Sequence, residues 1–306
     1  MAKVNQKDEI RTAVRDRYGK IADNTQPGCG CSPSQGSCCD PENDIQENLA
    51  IHLYQDTNVS ELPSEVTDIS LGCGDPVTLA SLTEGQTVLD LGSGGGIDCF
   101  LAAKKVGQTG KVIGVDMTPA MIDRARINKE KMSVTNVDFR LGEIEHLPVS
   151  DDSVDVIISN CVINLSPDKP GVFREAFRVL KPGGKLAVSD IVTDGDLPDI
   201  IMESLSAWAG CIAGAMDVND YVNGLQEAGF VDVQVEASYW DTEFFEAAVE
   251  QLEPELKARV MEKKEDGQKT MLINVGDGKK MIEGYDKEFD PQKSIFSAKI
   301  TAWKSS

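Results

Sequence analysis

The stretch VLDLGSGGGID at residues 88–98 constrains the fold most, because an apolar run leads through four glycines into a helical pattern. Glycine lets the backbone turn tightly and approach a bound ligand closely. A dinucleotide-binding fingerprint needs G-x-G-x-x-G, but counting from Gly92 or Gly94 puts Ile97 or Cys99 at the third glycine position. The stretch therefore predicts a strand, a ligand-binding loop and a helix, with a ligand other than a dinucleotide.

Strands and helices alternate after this loop. Apolar, β-branched runs predict the strands TVLDLG, KVIGVD, NVDFRLG, SVDVIISN and GKLAVSD, and the helices between them are predicted at Ile97–Val106, Pro119–Met132 and Gly171–Leu180. Helices at Leu197–Ala213 and Val218–Ala228 and a strand FVDVQVEAS are predicted to follow. Such alternation indicates right-handed βαβ units and an α/β domain, whose parallel sheet is covered on both faces.

Two smaller units are expected to flank this domain, which we assign to residues 71–239. In residues 1–70, apolar residues three to four apart predict a helix over Asp8–Asp23, and a second helix is expected over Asp44–Tyr54. We assign no chemistry to the first helix. The loop between them, NTQPGCGCSPSQGSCCDPEND, contains four of the eight cysteines. Residues 240–306 predict a small α+β unit, with KTMLINV and SIFSAKITAWK as strands.

The charge balance limits the partners of the chain. It has 51 acidic and 30 basic side chains, a formal charge of -21, so we expect no nucleic-acid substrate. The first residues contain no apolar signal segment, and no uncharged apolar run of about 18 residues predicts a membrane span. We therefore expect a cytoplasmic protein, in which the cysteines serve metal, metalloid or redox chemistry rather than structural bridges.

Acidic residues accompany the carboxyl ends of the first three predicted strands. Asp90 lies in the first strand, and Asp116 ends the second, where a carboxylate can accept both hydroxyls of a ribose. Glu143 and the backbone at Ile144 follow the third strand and could meet an adenine edge. An acid beside the glycine loop suits a positively charged or hydroxyl-bearing ligand, so a sulfonium cofactor fits better than a pyrophosphate.

Together with the LKPGG turn in RVLKPGGKLAVSD, these residues resemble the class I S-adenosylmethionine-dependent methyltransferases over about Thr87–Ser238. The resemblance implies a Rossmann-like sheet with S-adenosylmethionine across the carboxyl ends of its strands. It implies cofactor contacts from Asp90, Gly92, Ser93, Gly94, Gly96, Asp116, Met117, Gly142, Glu143, Ile144 and Asn160. Cys161 follows Asn160 and would lie beside the transferred methyl group.

A cysteine at that position suggests a thiophilic substrate. Thiolates select soft ions, and trivalent arsenic or antimony prefers three sulfur ligands in a pyramid that leaves one lone pair free. That lone pair could take a methyl group by displacement, with proximity supplying much of the acceleration. The candidate ligands are Cys73 in SLGCGDP, Cys161 in SNCVINL and Cys211 in WAGCIAGAM.

At these motifs the chain resembles the arsenite methyltransferases. The resemblance includes the N-terminal cysteine loop, the helix end with Tyr18, Gly19 and Ala22, and the GCGDP, NCVINL and WAGCIAGA segments, and it spans most of residues 8–238. It implies that Cys161 and Cys211 hold arsenite, methylarsenite or antimonite, with Cys73 as a third thiolate. It also implies a transient disulfide between Cys73 and either Cys38 or Cys39, which thioredoxin or a small thiol would reduce.

The remaining cysteines and both histidines are not assigned to the predicted catalytic set. Cys99 lies among apolar residues of a predicted helix, so we predict that it is a small, buried apolar residue. Cys29 and Cys31 could bind extra metalloid or have no ligand role. A zinc knuckle is not favoured, because the loop lacks two C-x-x-C motifs. His52 and His146 lie in no cysteine or aspartate constellation, so we interpret them as structural or exposed.

Two other functions remain open from the sequence. The same fold could serve a C- or O-methyltransferase of the quinone or sterol kind, with incidental cysteines. Alternatively, the cysteines could form a metalloid-binding or redox-sensing module on a vestigial methyltransferase core, although the intact set from Asp90 to Asp116 argues against this. Substitution of Cys161 or Cys211 by serine separates arsenic methylation, which requires both sulfurs, from the organic-substrate methyltransferase, which tolerates either change. Arsenite binding without consumption of the cofactor would indicate the metalloid-binding module.

Overall fold

The structure, a computed structural model, describes residues 2–24, 62, 66, 74–195, 214–238 and 295–306, together with the backbone of 262–263, 269–270, 273–275 and 278–280. The predicted helices Asp44–Tyr54 and Leu197–Ala213 and most of the predicted C-terminal unit lie outside these residues. In the part of the chain that is described, no helix is long and apolar enough to cross a membrane.

The described helices and strands follow the predicted order. The helices are α1 (Ala2–Asn24), α2 (Pro76–Ala80), α3 (Ile97–Val106), α4 (Pro119–Lys131), α5 (Lys169–Val179) and α6 (Val218–Glu227), with a 3-10 turn at Ile163–Leu165. The strands are β1 (Thr87–Leu91), β2 (Lys111–Asp116), β3 (Val137–Leu141), β4 (Val154–Asn160), β5 (Leu180–Thr193), β6 (Met216–Asp217), β7 (Phe230–Ser238), β8 (Glu262–Lys263), β9 (Lys269–Thr270), β10 (Ile273–Val275), β11 (Gly278–Lys280) and β12 (Ile295–Lys304).

One eight-stranded sheet organises the fold, with the strand order β3-β2-β1-β4-β5-β12-β7 and β6 paired to β5. The first five strands pair in parallel, as the alternating pattern predicts. The order reverses direction between β1 and β4, which in open α/β sheets is the position of the ligand crevice. The hairpins β8-β9 and β10-β11 lie outside this sheet.

Both faces of the sheet are covered, as predicted. Successive residues of β1 point to opposite faces, so Leu89 belongs to one apolar cluster and Val88 to another. The first cluster includes side chains of α5 and α6, and the second includes side chains of α3 and α4. This burial on both sides explains why the parallel strands are continuously apolar rather than alternating.

The assignment of the last strand to a separate C-terminal unit is wrong. Ile295–Lys304 forms β12, which pairs antiparallel with β5 on one side and with β7 on the other. Its buried run is typical of an interior strand, since Phe296, Ala298 and Ile300 are all buried in the main core. The partners of β12 lie about a hundred residues upstream on β5, so local periodicity carries no sign of this pairing.

Candidate active site

The glycine loop after β1 is pressed between β2 and the segment that follows β4. The backbone N–H groups of Gly92 and Ser93 both donate to the carbonyl of Val115, at 2.7 and 3.0 Å. Gly92 has φ +68°, and a Cβ atom there would collide with the Val162 side chain. This position requires glycine, because any other residue would be strained in the left-handed backbone conformation and its Cβ would displace the Val162 side chain.

Asp116 at the end of β2 holds the second turn of the loop. Its carboxylate accepts the backbone N–H of Gly94 at 3.0 Å and that of Thr118 at 2.7 Å. Burial raises the pKa of Asp116, and these N–H groups oppose the rise. The predicted ribose acid therefore lies at the mouth of the glycine loop with its orientation already fixed.

The glycine loop and Asp116 form one wall of a pocket, which encloses roughly 980 Å³ of unfilled space including its open mouth. The predicted residues Gly92, Ser93, Gly94, Asp116 and Met117 line it from β1 and β2. Ile144, Asn160 and Cys161 line it from the ends of β3 and β4. The pocket thus lies where the strand order reverses.

Four predicted cofactor residues do not line this pocket, and each has another partner. Asp90 is 2% exposed and accepts a hydrogen bond from the Cys99 thiol at 3.2 Å. Gly96 packs so closely against Phe100 and Phe139 that a Cβ would lie 2.8 Å from each, and Gly142 packs equally closely against Pro148. Glu143 forms ion pairs with Arg11 and Arg15.

The acid that faces the pocket from this side is Asp98, which the sequence analysis missed. Asp98 lines the pocket at the start of α3 and accepts a hydrogen bond from the Asn160 amide at 3.3 Å. Burial and then the charge of Asp98 raise the pKa of Asp90 well above its ordinary value. The signal that could have found Asp98 is its place in the first turn of the helix that follows the loop.

The chemistry of this wall fits a cationic, hydroxyl-bearing cofactor. Asp98 and Asp116 present carboxylates to the pocket, and a positive ligand would relieve their crowding with Asp90. The hydroxyl oxygen of Ser93 is buried on the pocket wall, with no hydrogen-bond partner among the residues that the structure describes. At Gly94 a Cβ would point into open space, so the loop leaves room for a ligand there.

Cys161 lines the same pocket from the end of β4. It follows the last residue of β4, has φ +58°, and donates its backbone N–H to the carbonyl of Ser189 at 2.7 Å. The residue is 4% exposed and packs with Val14, Leu165 and Ile191. A non-glycine residue in the left-handed region costs about 1–2 kcal/mol, so the surrounding structure must hold this turn.

Helix α1 also contributes to the pocket, contrary to the expectation that it carries no chemistry. Arg11, Val14 and Tyr18 line the pocket from one face of the helix. Arg11 donates to Glu145 at 3.3 Å, and Glu145 accepts the Ser166 hydroxyl at 2.6 Å. The three-to-four residue spacing marked this face as buried, but it carried no sign of what the face would cover.

Of the other cysteines, the structure describes Cys99. Cys99 is fully buried against β2 as predicted, and its hydrogen bond to Asp90 is an addition to that prediction. Cys73, Cys211, Cys38 and Cys39 lie outside the described residues, as do Cys29, Cys31 and His52. Among the residues that are described, no three His, Cys, Asp or Glu side chains cluster as a metal site. His146 is exposed, as predicted.

Comparison with known proteins places this geometry in a family. Residues 82–229 match the family described as "Methyltransferase domain". An arsenite methyltransferase of Halobacterium salinarum is 46% identical over 241 residues, which cover 78% of this chain and 61% of that protein. An arsenite methyltransferase of Aquipseudomonas alcaligenes is 38% identical, over 73% of this chain and 62% of that protein.

A solved structure decides the assignment. The arsenic(III) S-adenosylmethionine methyltransferase of Chlamydomonas reinhardtii is 32% identical and superposes with a TM-score of 0.57, covering 81% of this chain and 72% of that one. The chain belongs to the arsenite methyltransferase family. Membership confirms the predicted Rossmann-like sheet. The chain spans about three fifths of the length of the two curated arsenite methyltransferases.

Proposed function

We propose that this protein methylates trivalent arsenic, using S-adenosylmethionine as the methyl donor and cysteine sulfurs as ligands of the substrate. The observation that carries the proposal is the position of Cys161, which lines the same pocket as the glycine loop and Asp116. A sulfur in the same pocket as a cofactor wall suits a thiophilic substrate far better than an organic acceptor, which needs a general base or oriented hydroxyls.

The cofactor would be held by the acidic wall of the pocket. Asp116 would bind the ribose hydroxyls, Ser93 and the glycine loop would approach its polar groups, and Asp98 would face its positive charge. Ile144 and Met117 would contact the adenine ring. When bound, S-adenosylmethionine supplies an electrophilic methyl carbon, which an arsenic lone pair can take with loss of a neutral thioether.

A contact beside Cys161 supports a shared substrate for two cysteines. The Asn160 amide donates to the carbonyl of Gly74 at 2.8 Å. Gly74 directly follows Cys73 in the sequence, and Asn160 directly precedes Cys161. We propose that Cys73, Cys161 and Cys211 together bind arsenite or methylarsenite, and that antimonite can compete for the same sulfurs.

The reduction cycle is part of the same proposal. Cys38 or Cys39 would form a transient disulfide with Cys73 during turnover, and thioredoxin or a small thiol would restore the thiols. The cytoplasm keeps thiols reduced, so the enzyme would work there. Neither the reductant nor the compartment has a counterpart in the described residues, and both stay predictions.

The decisive experiment measures methylated arsenic formed from arsenite, S-adenosylmethionine and a thiol, with separation of arsenic species by mass. Cys161→Ser should abolish the product while leaving the affinity for S-adenosylhomocysteine within about twofold. Cys99→Ser is the matched control, because Cys99 is buried on α3, outside the pocket, and serine can still donate to Asp90. It should retain most of the activity.

Two outcomes would favour the alternatives instead. Methylation of a quinone- or sterol-type acceptor that survives Cys161→Ser would identify an organic-substrate methyltransferase with incidental cysteines. Tight arsenite binding without consumption of the cofactor, under conditions in which S-adenosylhomocysteine binds, would identify a sequestering or sensing module. Either result would refute arsenic methylation by this chain.

A further inference from the structure

A group of buried polar side chains lies behind the Cys161 turn and outside the pocket. The group, which we call the buried polar cluster, consists of Asn164, Lys169, Asp190 and Tyr221. Asn164, Asp190 and Tyr221 are 0% exposed and Lys169 is 8% exposed. Charged residues are rarely buried so fully unless they have partners, so each member of the cluster calls for a physical reason.

Lys169 binds the backbone of the turn that follows β4. Its ammonium group donates to the carbonyl of Asn164 at 3.2 Å and to that of Ser166 at 3.0 Å. These two residues flank Leu165, which lines the pocket beside Cys161. Lys169 lies in the first turn of α5, so it ties the segment after β4 to a helix packed on the sheet.

Asp190 and Asn164 tie the same segment to β5. The Asn164 amide donates to the carbonyl of Ile191 at 2.6 Å, and the Tyr221 hydroxyl donates to the Asp190 carboxylate at 3.4 Å. Burial raises the pKa of Asp190 to about 7, and the positive charge of Lys169, the Tyr221 hydroxyl and two backbone N–H groups oppose the rise. Lys169 from α5 and Tyr221 from α6 are the titratable groups that act on it.

Stability alone gives a poor reason for this arrangement. Well-packed apolar residues commonly stabilise a core as much as a buried ion pair or more, because desolvation offsets most of the attraction. The cluster does, however, lie next to a backbone turn that needs support. Cys161 has φ +58°, and its backbone N–H is bonded to Ser189, the neighbour of Asp190 on β5.

We propose that Lys169 and Asp190 are positioning residues, which hold the turn after β4 so that the Cys161 sulfur keeps its place in the pocket. The inference rests on the proposed function, because Cys161 is the residue that would bind arsenic. Neither side chain touches the pocket, so both would act through the backbone at Asn164, Ser166 and Ile191.

The experiment compares Lys169→Met and Asp190→Asn with Lys181→Met. Lys181 is the matched control, because it pairs with Asp155 at 2.8 and 2.9 Å and so joins β5 to β4 at the end of the strands away from the pocket. Cys161 is disulfide-bonded in the structure, so the protein is first reduced with a phosphine, which is then removed. The first readout is the alkylation rate of the freed Cys161 thiol by iodoacetamide, resolved by peptide mass spectrometry with buried Cys99 as the internal reference.

Loss of either positioning residue should speed the alkylation of Cys161 about tenfold relative to Cys99, since a buried hydrogen bond to a charged group is lost. In turnover, the KM for arsenite should rise by a similar factor, while the affinity for S-adenosylhomocysteine stays within about twofold. Lys181→Met should leave all three values unchanged. Lys169→Arg, which keeps the charge and the donors, should restore most of the arsenite KM.

Tyr221→Phe keeps the experiment decisive if a polar substitution prevents folding, because it removes only the hydroxyl that reaches Asp190. It should raise the Cys161 alkylation rate in the same direction by a smaller factor. The proposal is overturned if Cys161 reacts at the wild-type rate in Tyr221→Phe and in every other cluster variant that folds. Alkylation needs no arsenic, so a wild-type protein that fails to methylate arsenite would refute the proposed function and leave this test intact.

Discussion

Several ion pairs hold helix α1 over the pocket: Arg11 pairs with Glu145 and Glu143, Arg15 pairs with Glu143, and Lys7 pairs with Asp168. The Arg11 and Glu145 side chains are 21% and 6% exposed, with Nη2 and Oε1 3.3 Å apart. The Lys7 and Asp168 side chains are 47% and 37% exposed, with a 3.7 Å separation. Arg11 and Lys7 join the same helix to the methyltransferase domain. Substitution of each by methionine therefore compares a largely buried cation, which also pairs with Glu143, with a half-exposed one.

Arg11→Met should destabilise the attachment of α1 by about 1–2 kcal/mol, because the hydrogen bond to Glu145 and the ion pair with Glu143 are lost, and among the described residues Glu145 then keeps Ser166 as its partner. Lys7→Met should cost less than about 0.5 kcal/mol, since solvent already screens that pair. Converted to opening equilibria, these values correspond to about five- to thirtyfold faster amide exchange for Arg11→Met and about twofold for Lys7→Met.

Hydrogen–deuterium exchange over peptides from residues 7–22 measures this directly. Exchange in β4 and β5 serves as the internal reference, because α1 should open without unfolding of the sheet. Arg11→Met should also weaken binding of S-adenosylhomocysteine, since Arg11, Val14 and Tyr18 line the pocket. Equal exchange of α1 in the two variants would refute the reasoning, because it would mean that the buried pair does not hold the helix.

Three further predictions follow from the site and the surface. Asp190 has a pKa raised to about 7, so the folded state retains a proton that the unfolded state has lost, and stability should fall as pH rises from about 4 to 7. Asp190→Asn should remove this fall in the free energy of unfolding, which amounts to at most about 4 kcal/mol. Urea unfolding at a series of pH values measures it, and stability-against-pH curves that run parallel for the two proteins would contradict the prediction. Gly92→Ala should weaken S-adenosylhomocysteine binding by more than about tenfold in calorimetry, because it adds a collision with Val162 to the backbone strain. Gly195→Ala is its control, since a Cβ there meets nothing within 4 Å, and equal affinities in the two variants would disprove the collision argument. Because the formal charge is -21, Tm should rise between about 0.1 and 2 M KCl, and a Tm that does not change with salt would show that charge repulsion is unimportant.

The sequence predicted most reliably what local patterns encode. Ile97–Val106 and Phe230–Ser238 have the predicted bounds, because a 3.6-residue period and β-branched alternation are visible within one segment. It also predicted that Asp116, Asn160 and Cys161 would meet, since parallel strands bring their carboxyl ends to one edge. The order of motifs along the chain therefore sufficed for this part of the site.

Features that depend on distant pairing escaped the sequence analysis. β12 lies between β5 and β7, although its own pattern fits any buried strand. Asp90 and Asp98 differ by eight positions, but only the geometry of the loop determines that Asp98 faces the pocket while Asp90 contacts Cys99. The role of Arg11 depends on Glu145, which lies 134 residues away in the sequence. In each case the deciding partner is remote, and no local period records it.

The topology explains why a thiophilic substrate and a cationic cofactor can share one pocket. The strand order reverses between β1 and β4, so the helices that follow these strands cover opposite faces of the sheet and leave a crevice between the strand ends. Carboxylates lie on the β1 and β2 side, where Asp98 and Asp116 attract positive charge. The sulfur of Cys161 lies on the β4 side, among apolar residues that include Ile295 of β12. Nearby negative charge disfavours a thiolate, so the placement of Cys161 relative to the two carboxylates would affect how strongly the proposed site binds arsenic. Asn160 lies where the two sides meet, because its amide donates to Asp98 at 3.3 Å and Cys161 follows it in the chain. In the proposed function, the methyl group would pass across this boundary from the cofactor to arsenic.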